Sequence, residues 1–125
     1  MIFRHNDMHV EHKTGIHDGQ GEVSLRYLIE RNTHPNLRLL TWMHVAPGAS
    51  VGLHHHRLET EYYLLLKGAV RVNDNGSISD MHAGDLLQTA SGQGHALENI
   101  GDETADLLVF VVTHAEHPLN TRSSV

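Results

Sequence analysis

The stretch from Pro47 to Gly68 reads PGASVGLHHHRLETEYYLLLKG, and its three adjacent histidines decide how the rest of the chain is read. In extended backbone, side chains two residues apart share a face, roughly 7 Å from one another. His54 and His56 therefore project together while His55 projects away. Imidazoles at that spacing can converge on one ion at bond lengths of about 2.0–2.1 Å. Glu61 would face the wrong way if the strand ran straight past His56. The polar RLET reads as a turn instead, placing Glu61 on a neighbouring antiparallel strand, where a cross-strand neighbour on the same face completes the group. His95, which follows the loop ASGQG and opens another strand, is a fourth candidate.

Outward from this stretch the chain is a series of short β-type runs closed by turn signals, the pattern of an all-β sandwich or barrel. Strands are predicted over Glu22–Glu30, Arg38–Val45, Val51–Arg57, Glu61–Lys67, Ala69–Asn73, Ser77–His82, Leu86–Thr89, His95–Asn99 and Thr104–Thr113, with a short one at Asp7–His12. Asp74–Gly76, reading DNG, predicts a tight hairpin, because Asn and Gly accept the positive φ such turns demand. The polar tail after Thr113 shows no periodicity and is expected to be loosely held.

Composition narrows the chemistry. The 125 residues suit one domain with its own core. The formal charge of −6, with nine Lys and Arg spread along the chain, argues against nucleic acid or an anionic membrane as partner. Cysteine is absent, which excludes disulfides, thiolate metal sites and a cysteine nucleophile. Thirteen histidines direct attention to metal sites built from nitrogen and oxygen. The apolar run Leu107–Val112 suits a buried strand and is too short to span a membrane. A cytoplasmic protein is the expectation.

Gly48, His54, His56, Glu61 and Gly68 are spaced G-x5-H-x-H-x4-E-x6-G, and this resembles the first motif of the cupin superfamily. Gly84, Ala90, Gly92, His95 and Asn99 match the spacing of the second motif, with Ala90 where cupins usually carry proline. The resemblance implies a single jelly-roll β-barrel (a double-stranded β-helix), occupying about residues 21–113 of the 125, with an arm at 1–20 and a tail at 114–125. It implies a divalent metal (Mn, Fe, Ni or Zn) held by His54, His56, Glu61 and His95, with positions left open for a ligand. It further implies a small-molecule ligand or substrate, such as an organic acid or carbohydrate. The activity would be of dioxygenase, isomerase or lyase type, the alternative being a non-catalytic binding or sensor module.

Strand parity suggests residues around that centre. Tyr63 shares a face with Glu61, and Arg26 lies on an earlier strand; both are candidates to act on a substrate. Trp42 and His44 share a face, Gln88 precedes the His95 loop and Phe110 lies mid-strand, so these four are candidates to line a pocket. His17 could fold over a barrel mouth. His5, His9, His12, His34, His114 and His117 fall in polar termini and loops and read as solvated. Open sheet edges make a homodimer the expected assembly, with the arm ahead of Gly21 able to supply a covering strand.

Overall fold

A computed structural model describes residues 1–116. Ten strands form two antiparallel sheets: β1 Val10–Thr14, β2 Glu22–Tyr27, β3 Leu37–Val45, β4 Ser50–His55, β5 Glu59–Lys67, β6 Ala69–Asp74, β7 Ser77–His82, β8 Leu86–Thr89, β9 Gly94–Asn99 and β10 Ala105–Thr113. The larger sheet runs β1-β2-β3-β10-β5-β8 and the smaller β4-β9-β6-β7, the two faces of a jelly roll. Helical structure among the described residues is confined to 3-10 turns at His5–Asp7 and Ile16–Asp18. None of it is long and apolar enough to cross a membrane.

The alternation predicted for half-buried strands is visible on the long ones. On β10, Ala105, Leu107, Val109 and Val111 point inward and are almost fully buried; on β3, Thr41, Met43 and Val45 do so. Each large apolar side chain buried this way is worth about 1.5–3 kcal/mol relative to leaving it in water. The interior is graded along its length. Val23, Val45, Leu65, Val70, Leu97 and Leu107 pack one end, whereas Thr41, Glu59, Glu61, Thr89 and His95 are buried at the other. The polar end is where the metal-type residues gather.

The DNG hairpin forms as expected. Asn75 (φ 49°) and Gly76 (φ 101°) are the two left-handed residues joining β6 to β7. This hairpin also serves β9: Asn75 Oδ1 accepts from the Gly94 N–H at 3.2 Å, and the Asn75 N–H donates to the Gly94 carbonyl at 2.9 Å. The residue just before His95 is thereby fixed.

Several expected boundaries shift. The first strand is Val10–Thr14 rather than Asp7–His12, because the backbone of His5–Asp7 closes into a 3-10 turn. β1 pairs with β2 of its own chain and covers that edge. β2 stops at Tyr27 rather than running to Glu30, ahead of a turn with Asn32 at φ 61°. β5 begins at Glu59, so the turn after the histidines is tighter than RLET implied. It passes through Leu58 at φ 58°, held by Ser91 Oγ accepting from the Leu58 N–H at 2.9 Å. His117 and the rest of the tail from residue 117 lie outside the described residues; His114 is half-buried, with Nε2 3.0 Å from Thr60 Oγ1.

Candidate metal centre

Four side chains converge at the polar end of the barrel: His54, His56, Glu61 and His95 each bring a donor atom within 4.8 Å of the others. They arrive differently from the expectation. Glu61 is not on a strand that pairs with β4, because the connection after His56 crosses between sheets: β4 pairs with β9, while β5 pairs with β10 and β8. The direct cross-strand partner of His54 is His95, and Glu61 reaches them from the opposite sheet across the interior. His56 stands just past the end of β4.

An irregularity in β4 makes this possible. Val51 and His54 both turn toward the interior although strict alternation would put them on opposite faces. The pairing with β9 shifts register between them, at Gly52 and Leu53, leaving Leu53 55% exposed. A bulge of this kind reverses the facing of everything beyond it. His55 is exposed, with its ring over Gly94 of β9, and is outside the group of four.

The donor atoms crowd around one point. Nε2 of His95 lies 3.0 Å from Nε2 of His54 and 3.2 Å from Nε2 of His56. Glu61 Oε1 lies 2.8 Å from both the His56 and the His95 nitrogens and 3.8 Å from that of His54. That oxygen is buried yet accepts no well-aligned hydrogen bond.

The far side of each ring explains the crowding. Nδ1 of His54 faces the Gly52 carbonyl at 2.8 Å, Nδ1 of His56 faces Glu59 Oε1 at 3.1 Å, and Nδ1 of His95 faces Thr89 Oγ1 at 2.6 Å. Each partner can accept a hydrogen bond from an Nδ1–H group, which leaves the Nε2 lone pair directed into the group. Three imidazole lone pairs and a carboxylate oxygen aimed at one another repel unless a cation or protons lie between them. The arrangement fits a divalent metal ion.

Outside the four ligand-type residues, Arg38 clamps Glu59 with Nε 2.7 Å from Oε2 and Nη2 2.9 Å from Oε1. With no ion bound, burial pulls the His56 imidazole down, but Glu59 and Glu61 override it and raise its pKa to about 9. Burial pushes Glu59 up, and His56 and Arg38 outweigh this and hold it at about 2. Glu61, desolvated but surrounded by His54, His56 and His95, is held well below the usual carboxylate range. His95 is lowered, chiefly by burial.

Tyr63 belongs to this centre. It is 3% exposed, its ring lies nearly parallel to that of His95 at 4.7 Å, and burial followed by the Glu61 charge raises its hydroxyl pKa well above the ordinary value. It therefore keeps its proton at neutral pH. A cavity of about 350 Å³ opens beside the group, lined among others by Lys13, His17, Arg31, Arg38, Met43 and Val109.

The other parity-based candidates are placed elsewhere. Arg26, Trp42, His44 and Phe110 point to the outer face of the larger sheet, and exposed Gln88 with them, none lining the cavity. There Arg26 donates to the His5 carbonyl at 2.8 Å, Trp42 stacks on His44, His44 contacts Asp106 at 2.6 Å, and Phe110 stacks on Tyr62, whose hydroxyl donates to Gln88. Parity groups residues by face but does not say which face is inside, and here Thr41, Met43 and Val109 take the inner one. Arg38, Glu59 and Thr89 were missed. Glu59 shares parity with Glu61 and follows His56 by three residues, a signal that reading RLET as a loop concealed.

The cupin-domain family matches residues 41–111, which hold all four converging side chains. The chain belongs to the cupin family. A cupin-sized relative, the oxalate-binding protein of Thermotoga maritima, is 34% identical over 90% of this chain and 93% of its own. The tetracenomycin polyketide synthase protein TcmJ of Streptomyces glaucescens is 31% identical over 59% of this chain and half of its own length. Among solved structures, a predicted oxalate decarboxylase from Thermotoga maritima superposes with a TM-score of 0.85 at 34% identity, covering 90% of this cupin and 99% of that chain.

Proposed function

We propose that this cupin binds one divalent first-row transition metal through His54, His56, Glu61 and His95, and that the metal holds a small organic acid in the adjoining cavity. The observation that carries this reading is the set of three Nδ1 acceptors, which aim three Nε2 atoms and one carboxylate oxygen at a common point. Ligand type suits Mn, Fe, Ni and Zn alike. The donor separations run from 2.8 Å to 3.8 Å, a spread that takes in both octahedral and tetrahedral spacing and does not choose among these metals. Adjacent ligands at about 2.1 Å around an octahedral ion lie roughly 3.0 Å apart, against about 3.4 Å around a tetrahedral one.

An acid as ligand is supported by Lys13 and Arg31 in the cavity lining, where Arg38 is already paired with Glu59, and by the relative whose name is oxalate-binding protein. A divalent ion at this centre would polarise a bound carboxylate or carbonyl, which is the common requirement of lyase, isomerase and dioxygenase chemistry on such molecules. Tyr63 would offer a proton-bearing hydroxyl beside Glu61, and the apolar wall of Leu25, Leu39, Met43 and Val109 would limit water. The name of the same relative favours a second reading, retention of the acid without turnover.

Calorimetry with oxalate separates these readings. Metal-loaded protein is expected to bind oxalate and metal-stripped protein is not; equal binding by both forms would overturn the proposal. Loss of oxalate over time that His56→Ala abolishes assigns an enzyme, while binding without turnover assigns a carrier or sensor.

A further inference from the structure

The turn between β1 and β2 is assembled under unusual constraint. His17 and Asp18 both hold left-handed backbone, at φ 50° and 65°, a region uncommon outside glycine although Asn, Asp and His enter it more readily than other residues. The turn is pressed onto β4 where two glycines allow it. A β-carbon at Gly52 would collide with the His17 carbonyl oxygen, and one at Gly19 with the Ser50 carbonyl oxygen. The Gln20 N–H donates to Ser50 Oγ and the Ser50 N–H to the Gln20 carbonyl, both at 2.8 Å, while Ile16 packs against the core. Strain maintained by surrounding contacts is a pointer to function.

What these contacts fix is one ring on another. The His17 imidazole lies over that of His54, centroids 3.9 Å apart and planes within 12°. Among the converging histidines, His54 has the greatest need of support. Its side chain is 13% exposed, against 6% for His56 and 1% for His95. Its hydrogen-bond anchor is a backbone carbonyl two residues back on its own strand. His56 is anchored by the Glu59 carboxylate, and His95 by Thr89 with Tyr63 stacked on its face.

We propose that His17 is a positioning residue of the metal centre: its ring holds the His54 imidazole in the plane that aims Nε2 at the other donors. This rests on the metal-binding reading above and extends the centre to the arm ahead of the barrel. Tyr63 is the counterpart of His17 from inside, acting on His95.

Cobalt(II) titration of two variants tests it. His17→Asn keeps a residue that tolerates left-handed backbone and removes the stacked ring. His17→Phe keeps an aromatic ring and removes the nitrogens. The expectation is one Co(II) per chain in all three proteins, bound about tenfold more weakly in His17→Asn, the low end for losing an outer-shell partner. Its visible absorption bands should shift, while His17→Phe keeps wild-type affinity and spectrum. Three outcomes overturn the proposal. One is wild-type affinity and spectrum in His17→Asn, whether or not its melting temperature falls. Another is equal weakening by Asn and Phe, which would implicate the nitrogens. A wild-type protein that takes up no Co(II) is distinguishable from both, since it refutes the metal reading itself and this proposal with it.

Discussion

Nδ1 of His56 lies 3.1 Å from the carboxylate of Glu59, three residues later in the chain, and Arg38 grips that carboxylate from β3. The turn between them, with Leu58 in a left-handed conformation, is what lets the two side chains meet. This contact fixes which His56 nitrogen faces the other donors. Glu59→Gln, which keeps the shape and removes the charge, is expected to weaken metal binding about tenfold, and Glu59→Ala by up to about a hundredfold. Competition against a chelator measures both. Unchanged affinity in Glu59→Ala would show that the contact plays no part in holding the metal.

Metal affinity should depend on pH in a defined sense. In the metal-free protein His56 carries a proton up to about pH 9, and Glu61 is already ionised at neutral pH. Burial lowers His95, so that ring is neutral. Metal must displace the His56 proton, so apparent affinity should rise about tenfold per pH unit between 7 and 8 and flatten above about 9. Affinity that stayed flat from pH 7 to 9 would contradict the His56 assignment.

Acid should weaken the metal-free fold through Glu59. Its folded pKa of about 2 lies below the ordinary value of 4.5. Its contribution is therefore present above pH 4.5 and lost as pH falls toward 2. Melting temperature should drop across that window, and Glu59→Gln should flatten part of the drop. An identical slope in the variant would mean that other carboxylates carry the effect.

Gly52 joins two functions, reversing the facing of β4 and admitting the His17 carbonyl. Gly52→Ala forces the turn off the strand, and a clash with backbone is not relieved by rotating a side chain. A loss of about 2 kcal/mol or more is expected, within the range of overpacking changes. Chemical denaturation reads this directly, and a neutral result would show that the turn does not depend on that contact.

Much of the architecture was legible because short-range signals sufficed. Ser77–His82 and Leu86–Thr89 have the bounds their alternation predicts, and Asn75-Gly76 forms its hairpin. The four converging residues could be named because their intervals match the two cupin motifs, which span three strands, β4, β5 and β9. How they meet was not legible. Glu61 approaches from the opposite sheet, and no local pattern states whether a turn is a hairpin or a crossing. The bulge at Gly52 is likewise invisible to local pattern, since alternation over His54–His56 is regular and carries no mark of the register shift behind it. Trp42, His44, Arg26 and Phe110 went to the outer face because large polar and aromatic side chains can cover a sheet as readily as fill it.

The central claim is a metal held by His54, His56, Glu61 and His95. Elemental analysis of protein purified without metal-affinity resin or added metal tests it most directly, wild type beside a His56→Ala, His95→Ala double variant whose fold is checked by circular dichroism. One equivalent of a first-row transition metal per chain in the wild type, and none in the folded double variant, is the predicted result. A wild-type protein that is folded but carries no metal and takes up none on dialysis, or a double variant that retains a full equivalent, would contradict it.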